Sequence, residues 1–140
     1  MSAMGSSRRR RRRERGNTTL EAALSLTVFL MSIFGIMDLG RMVFSYNLVA
    51  HGAREGVRYA IVHGNNSASP ANVITIGDYL RGQTPGLDRN GTTVAVTWTP
   101  NNTPGSTVSV TVSYSFRPVA PYMPAGTWIL RARSQGIVAR

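Results

Sequence analysis

From Leu20 to Met37 the chain is apolar on every helical face: LEAALSLTVFLMSIFGIM holds one formal charge, Glu21, and the hydroxyls Ser25, Thr27 and Ser32. These eighteen residues rise about 27 Å as a helix, close to the roughly 30 Å hydrocarbon core of a bilayer, and predict a transmembrane helix over 17–38. Beyond Met37 the apolar positions become one-sided. Leu39, Val43, Tyr46, Val49 or Ala50, Ala53, Val57 and Ala60 or Ile61 recur at steps of three and four, which predicts an amphipathic continuation over 39–63. No proline lies between residues 21 and 69, so one helix from about Thr19 to Val62 is expected, stopped by His63-Gly64-Asn65-Asn66. Its polar face offers Asp38 with Arg41, His51 with Glu55, and Glu55 with Arg58 as pairs three or four apart. Gly52, Gly56 and Ala60, spaced by four, predict a groove that receives either the protein's own sheet or a neighbouring subunit.

The carboxyl half, 64–140, reads as a strand-rich domain. Residues 64–70 form a loop by composition, and Ala71 to Leu80 predicts a short helix, started by Ser69-Pro70, with Val73, Ile76, Tyr79 and Leu80 on one face. Alternation predicts strands over Thr92 to Thr99 and Thr107 to Phe116. The turn residues Pro100 to Gly105 between them make an antiparallel hairpin the economical topology. After the proline-rich connection from Pro118 to Pro124, Trp128 to Val138 predicts a third strand with poorer alternation. A sheet of about three strands has one apolar face to bury, and the outer half of the long helix has a matching one. The fold class is therefore α+β: a long N-terminal helix, part transmembrane and part amphipathic, packed on a small antiparallel sheet.

Charge sharpens this layout. The chain has sixteen arginines, no lysine and six acids, a formal charge of +10. Seven of the arginines fall between Arg8 and Arg15, so the basic character belongs to a leader, 1–16, rather than to a folded surface. A nucleic-acid-binding domain would spread its charge over the face that meets phosphates, so no nucleic-acid partner is expected. The arginine bias places the N-terminus in the cytoplasm and the residues after about 38 outside, in a single-pass cytoplasmic-membrane protein. A cleaved secretory signal fits poorly, because Asp38-Leu39-Gly40-Arg41 lacks the small-x-small pattern after the apolar run. A twin-arginine signal fits poorly too, because Arg8 to Gly16 lacks apolar residues after the pair.

The absence of cysteine excludes disulfides, thiolate zinc sites and cysteine nucleophiles. His51 and His63 stand twelve apart, and no zinc-protease, nucleotide-binding or calcium-loop motif occurs. The expectation is no enzyme, no catalytic residue, no cofactor, no metal and no small-molecule substrate.

Glu21 is the oddity, since a carboxylate inside an apolar run ought to have a partner. Gly16, at the boundary between arginine leader and apolar run, with Glu21 five positions later, resembles the processing site of type IV prepilins and pseudopilins. The resemblance implies that a prepilin peptidase cuts between Gly16 and Asn17 and leaves the helix in the membrane. The α-amino group freed at Asn17 would then pair with Glu21 of a neighbouring subunit.

Further on, Asp38-Leu39-Gly40-Arg41-Met42-Val43-Phe44-Ser45-Tyr46 and Ala53-Arg54-Glu55-Gly56-Val57-Arg58-Tyr59-Ala60 are similar to the signature of TadE-like pseudopilins of the tight-adherence pilus system. On that resemblance Asp38, Gly40, Arg41, Arg54, Glu55, Gly56 and Arg58 are the family's motif residues on the helix. The fold would be pilin-like, and the protein a minor pilin in assembly of an adhesive pilus. Its partners would be the membrane, the peptidase, other pilin and pseudopilin subunits and the assembly machinery, with a place in the membrane and on the pilus. Two other readings stay open: an envelope binding module held by a leader that is never removed, and an arginine-rich binder of anionic lipid or nucleic acid.

Overall fold

The computed structural model describes residues 6–120 and 126–139, with side chains from Asn17 onward. One helix, α1, runs from Ser6 to Val62, fifty-seven residues, and so begins well before the expected Thr19. Arginine is a good helix former, and no proline interrupts the leader, so the helix propagates into it. Residues 1–5 of the leader lie outside the described residues. The stretch from Asn17 meets the length and hydropathy of a membrane span, with mean hydropathy 2.0 in its most apolar window and none of that window buried in the protein. Two hydroxyls in the apolar run are satisfied within the helix: Thr27 Oγ1 donates to the Ala23 carbonyl at 2.8 Å and Ser32 Oγ to the Val28 carbonyl at 2.9 Å.

After α1 come a second helix, α2 (Val73–Gln83), a 3₁₀ turn (Arg89–Gly91), and strands β1 (Thr92–Thr99), β2 (Thr107–Phe116) and β3 (Trp128–Ile137). The sheet is antiparallel in the order β1-β2-β3, and the chain is α+β as its pattern requires. The first two strands have the bounds that alternation gives. Helix α2 starts two residues later than expected because Asn72, not Ser69-Pro70, caps it: Asn72 Oδ1 accepts from the Thr75 amide while Thr75 Oγ1 accepts from the Asn72 amide, both at 2.9 Å. In the β1–β2 turn Gly105 has φ +86°, a conformation that glycine adopts without strain.

The core lies between the outer half of α1, α2 and the inner face of the sheet. Val49, Ala53, Val57 and Ala60 of α1 meet Ile76 and Leu80 of α2 and Val108, Val110 and Val112 of β2. Strand β2 runs back along α1. Val110 lies against Gly56 and Val112 against Gly52, while Phe116 faces Arg41, nearer the apolar run. The far end is tied by the Ala139 amide to the Ile61 carbonyl at 3.0 Å. Tyr59 of α1 stacks on Tyr79 of α2 with centroids 4.7 Å apart.

The buried face of α1 differs from the expected stripe in its first turns. Leu39, Val43 and Tyr46 are exposed, whereas Asp38 and Ser45 are buried and Met42 is half-buried. Further along, Val49, Ala53, Val57 and Ala60 are buried as the pattern requires. The first turns rotate Asp38 toward the head because the returning chain supplies the hydrogen-bond donors it needs.

Candidate functional site

The motif residues of α1 divide into two contacts with the head. The first forms where the apolar run ends. Asp38 is 2% exposed and accepts hydrogen bonds at one carboxylate oxygen from the backbone amides of Val119 and Ala120, each at 2.7 Å. Its other oxygen pairs with Arg41 Nη1 at 2.9 Å, one turn along α1. The Arg41 guanidinium also lies over the Phe116 ring, 5.4 Å from the centroid. A carboxylate that receives two amides and a guanidinium is held by charge-assisted bonds, which are shorter and stronger than neutral ones. Asp38 and Arg41 thus clamp the chain leaving β2 onto the helix beside the last apolar turn.

The second contact is the small-residue groove, and it receives the protein's own head. A Cβ at Gly56 would stand 2.9 Å from Val110 Cγ1 and 3.2 Å from Leu80 Cδ1, and one at Gly52 would stand 3.2 Å from Thr84 Cγ2. Thr84 is held there by its hydroxyl, which donates to the Leu80 carbonyl at 2.8 Å. Strand β3 makes the matching approach from the sheet side: a Cβ at Gly136 would stand 2.5 Å from Ile61 Cδ1 and 2.8 Å from Val57 Cγ1.

Of the remaining motif residues Gly40, Arg54 and Arg58 are exposed and Glu55 is half-buried. Glu55 pairs with Arg58 at 3.1 Å rather than with His51, and Arg54 is exposed with no ion pair among the described residues. At Gly40 a Cβ would meet nothing within 4 Å among the described residues outside the helix's own backbone. Glu21 is exposed and has no hydrogen-bonded or charged partner among the described residues. Asn17 is exposed on the same helix. Gly16 falls within α1, with nothing beyond its backbone described, so the bond expected to be cut lies at the edge of the described side chains.

Sequence reasoning missed Val119, Ala120, Phe116 and Gly136. The first two act through backbone amides, which carry no side-chain signal, and Phe116 reads as an ordinary inward strand residue. Gly136 did leave a trace: after Leu130 the inner positions of β3 are the small Ala132, Ser134 and Gly136, with glycine where α1 comes closest, and small inner residues make the alternation poor. A cleft of about 470 Å³ between α2 and β1 is lined by Val73, Ile74, Leu87 and Val94 with Arg81 and Arg89. No histidine or carboxylate lines it among the described residues.

An apolar, membrane-length helix whose outer half carries a small α+β head defines the class, a layout that fits a single-pass membrane protein. Residues 16–58 match the family model of TadE-like proteins, consistent with a TadE-like protein of the tight-adherence pilus system. The matched stretch contains Glu21 and every motif residue of α1, and it leaves the sheet outside. No curated protein and no solved structure matches the chain.

Proposed function

We propose that the protein is a membrane-inserted pseudopilin, a minor pilin that takes part in building a tight-adherence pilus after a prepilin peptidase cuts between Gly16 and Asn17. The observation that carries this reading is Glu21, a carboxylate in an apolar run with no partner of its own among the described residues. A charge at that depth is costly unless it meets an opposite charge. Cleavage supplies one, the α-amino group of Asn17 on another subunit, so docking neutralises both groups. The N-terminus is cytoplasmic and the head extracytoplasmic, in keeping with the arginines of the leader. The protein catalyses nothing itself: its head is a structural body held against the helix by Asp38, Arg41, Gly52 and Gly56, and its partners are other pilin subunits and the assembly machinery.

The test is Glu21→Ala in the native cells, scored by pilus assembly and by crosslinking of the protein to other pilins. Loss of both with normal membrane insertion is the expected result. Unchanged assembly and crosslinking would remove the assembly role of Glu21 and with it the main support for the reading.

A further inference from the structure

The end of the sheet beside Asp38 carries exposed apolar side chains. Val119 is 60% exposed, Trp128 40% and Ile129 65%. Their position along the molecule is fixed. The Val119 amide is bound to Asp38, one residue past the apolar run, while Trp128 pairs with Phe116 and Ile129 with Ser115 at the same end of β2. The three therefore lie level with the point where the helix leaves its membrane-length segment. Around them stand the exposed Arg117 and Arg131, and no acid occurs in 116–120 or 126–133. Asp38, the carboxylate of this end, is already engaged.

Trp128 and Ile129 project from opposite faces of this end of the sheet, and exposed apolar side chains that include a tryptophan, accompanied by arginines and level with the end of an apolar helix, have the chemistry of a membrane–water interface. Tryptophan prefers the headgroup level, and arginine can lay its stem on acyl chains while its guanidinium meets phosphate. We propose that this end of the head is seated in the headgroup layer of the leaflet from which the helix emerges, with Val119, Trp128 and Ile129 against the upper acyl carbons and Arg117 and Arg131 on lipid phosphates. The proposal rests on reading Leu20–Met37 as a membrane span. It adds that the head lies against the bilayer rather than standing free above it, so that extraction into a filament must break this contact as well as withdraw the helix.

The two tryptophans give the test. Trp98 pairs with Val108 and Trp128 with Phe116, so they sit at opposite ends of the sheet, about 27 Å apart along β2 at the usual strand rise. The full chain is reconstituted in vesicles of phosphatidylethanolamine and phosphatidylglycerol whose acyl chains are brominated near the glycerol backbone. Trp98→Phe isolates the emission of Trp128, and Trp128→Phe isolates that of Trp98. The expected result is that the Trp128 signal falls at least twofold relative to unbrominated vesicles while the Trp98 signal is unchanged.

Flotation of the same samples separates the two levels of the claim. A chain that floats with Trp128 unquenched overturns the seat and keeps the span, and a blue-shifted but unquenched Trp128 overturns it in favour of burial against a second copy. A chain that does not float overturns span and seat together. In the Trp98→Phe background, Val119→Asp with Ile129→Asp should reduce the quenching of Trp128 without releasing the protein from vesicles. Undiminished quenching in that variant would overturn the assignment of the contact to these side chains.

Discussion

The Asp38 carboxylate and the Ala120 backbone amide are 82 residues apart in sequence and 2.7 Å apart in space. Ala120 is buried, so its amide has no water to turn to if the carboxylate is removed, whereas Val119 is exposed and can be rehydrated. An unpaired buried donor costs about 1–3 kcal/mol. Asp38→Ala should therefore lower the stability of the detergent-solubilised protein by that amount, read from the urea midpoint of tryptophan emission. Asp38→Asn, which keeps one acceptor oxygen, should lose less. An unchanged midpoint in Asp38→Ala would mean that the clamp contributes nothing to holding the head on the helix.

A Cβ would meet different surroundings at two glycines of the same motif. Alanine favours an exposed helix interior by about 1 kcal/mol over glycine, and nothing among the described residues obstructs a Cβ at Gly40. Gly40→Ala should leave the stability of the isolated protein unchanged or raise it by up to about that amount. At Gly56 the same gain is opposed by Val110 Cγ1 at 2.9 Å, and overpacking of this kind typically costs about 1–3 kcal/mol. Gly56→Ala should be neutral to destabilising, and Gly56→Leu should loosen the head outright, as measured by protease sensitivity of the carboxyl half. If Gly40→Ala keeps the protein stable yet abolishes pilus assembly, Gly40 serves a contact outside the monomer.

Gly136→Ala tests the approach of β3 to the helix. The new methyl would press on Ile61 Cδ1 and Val57 Cγ1, and Val57, branched at Cβ, has little rotamer freedom in a helix. A loss of about 1–3 kcal/mol is expected. Adding Ile61→Val removes the nearer of the two atoms and should recover part of the loss. Strictly additive effects of the two substitutions would contradict a direct contact.

Much of the architecture was legible because its signals are local. The bounds of β1 and β2 follow from alternation between turn residues, and the long helix follows from an apolar run without proline. The groove of Gly52 and Gly56 was legible as a groove, but its occupant was not, since spacing reports a close approach without naming what approaches.

The first turns after the span depart from the expected stripe for a definite reason. Leu39, Val43 and Tyr46 form an apolar stripe that continues the apolar run, but the stripe turned toward the head is the one through Asp38, Met42 and Ser45. Which stripe faces inward depends on two backbone amides supplied from residues 119 and 120, and hydrophobic periodicity carries no record of them. The candidate sites divide in the same way. Glu21 and Gly16 stand out in the sequence by their chemistry, whereas the partners of Asp38 emerge only once β2 is laid along the helix.

The most direct test of the pseudopilin account is the N-terminal sequence of the membrane-extracted protein from its native cells and from cells lacking the prepilin peptidase. The account expects a chain beginning at Asn17 when the peptidase is present, and one still carrying Arg8 to Gly16 when it is absent. A leader retained in both would contradict processing and favour a permanent anchor. A chain beginning beyond Met37 would show that the apolar run is an ordinary signal peptide, removed from the mature protein.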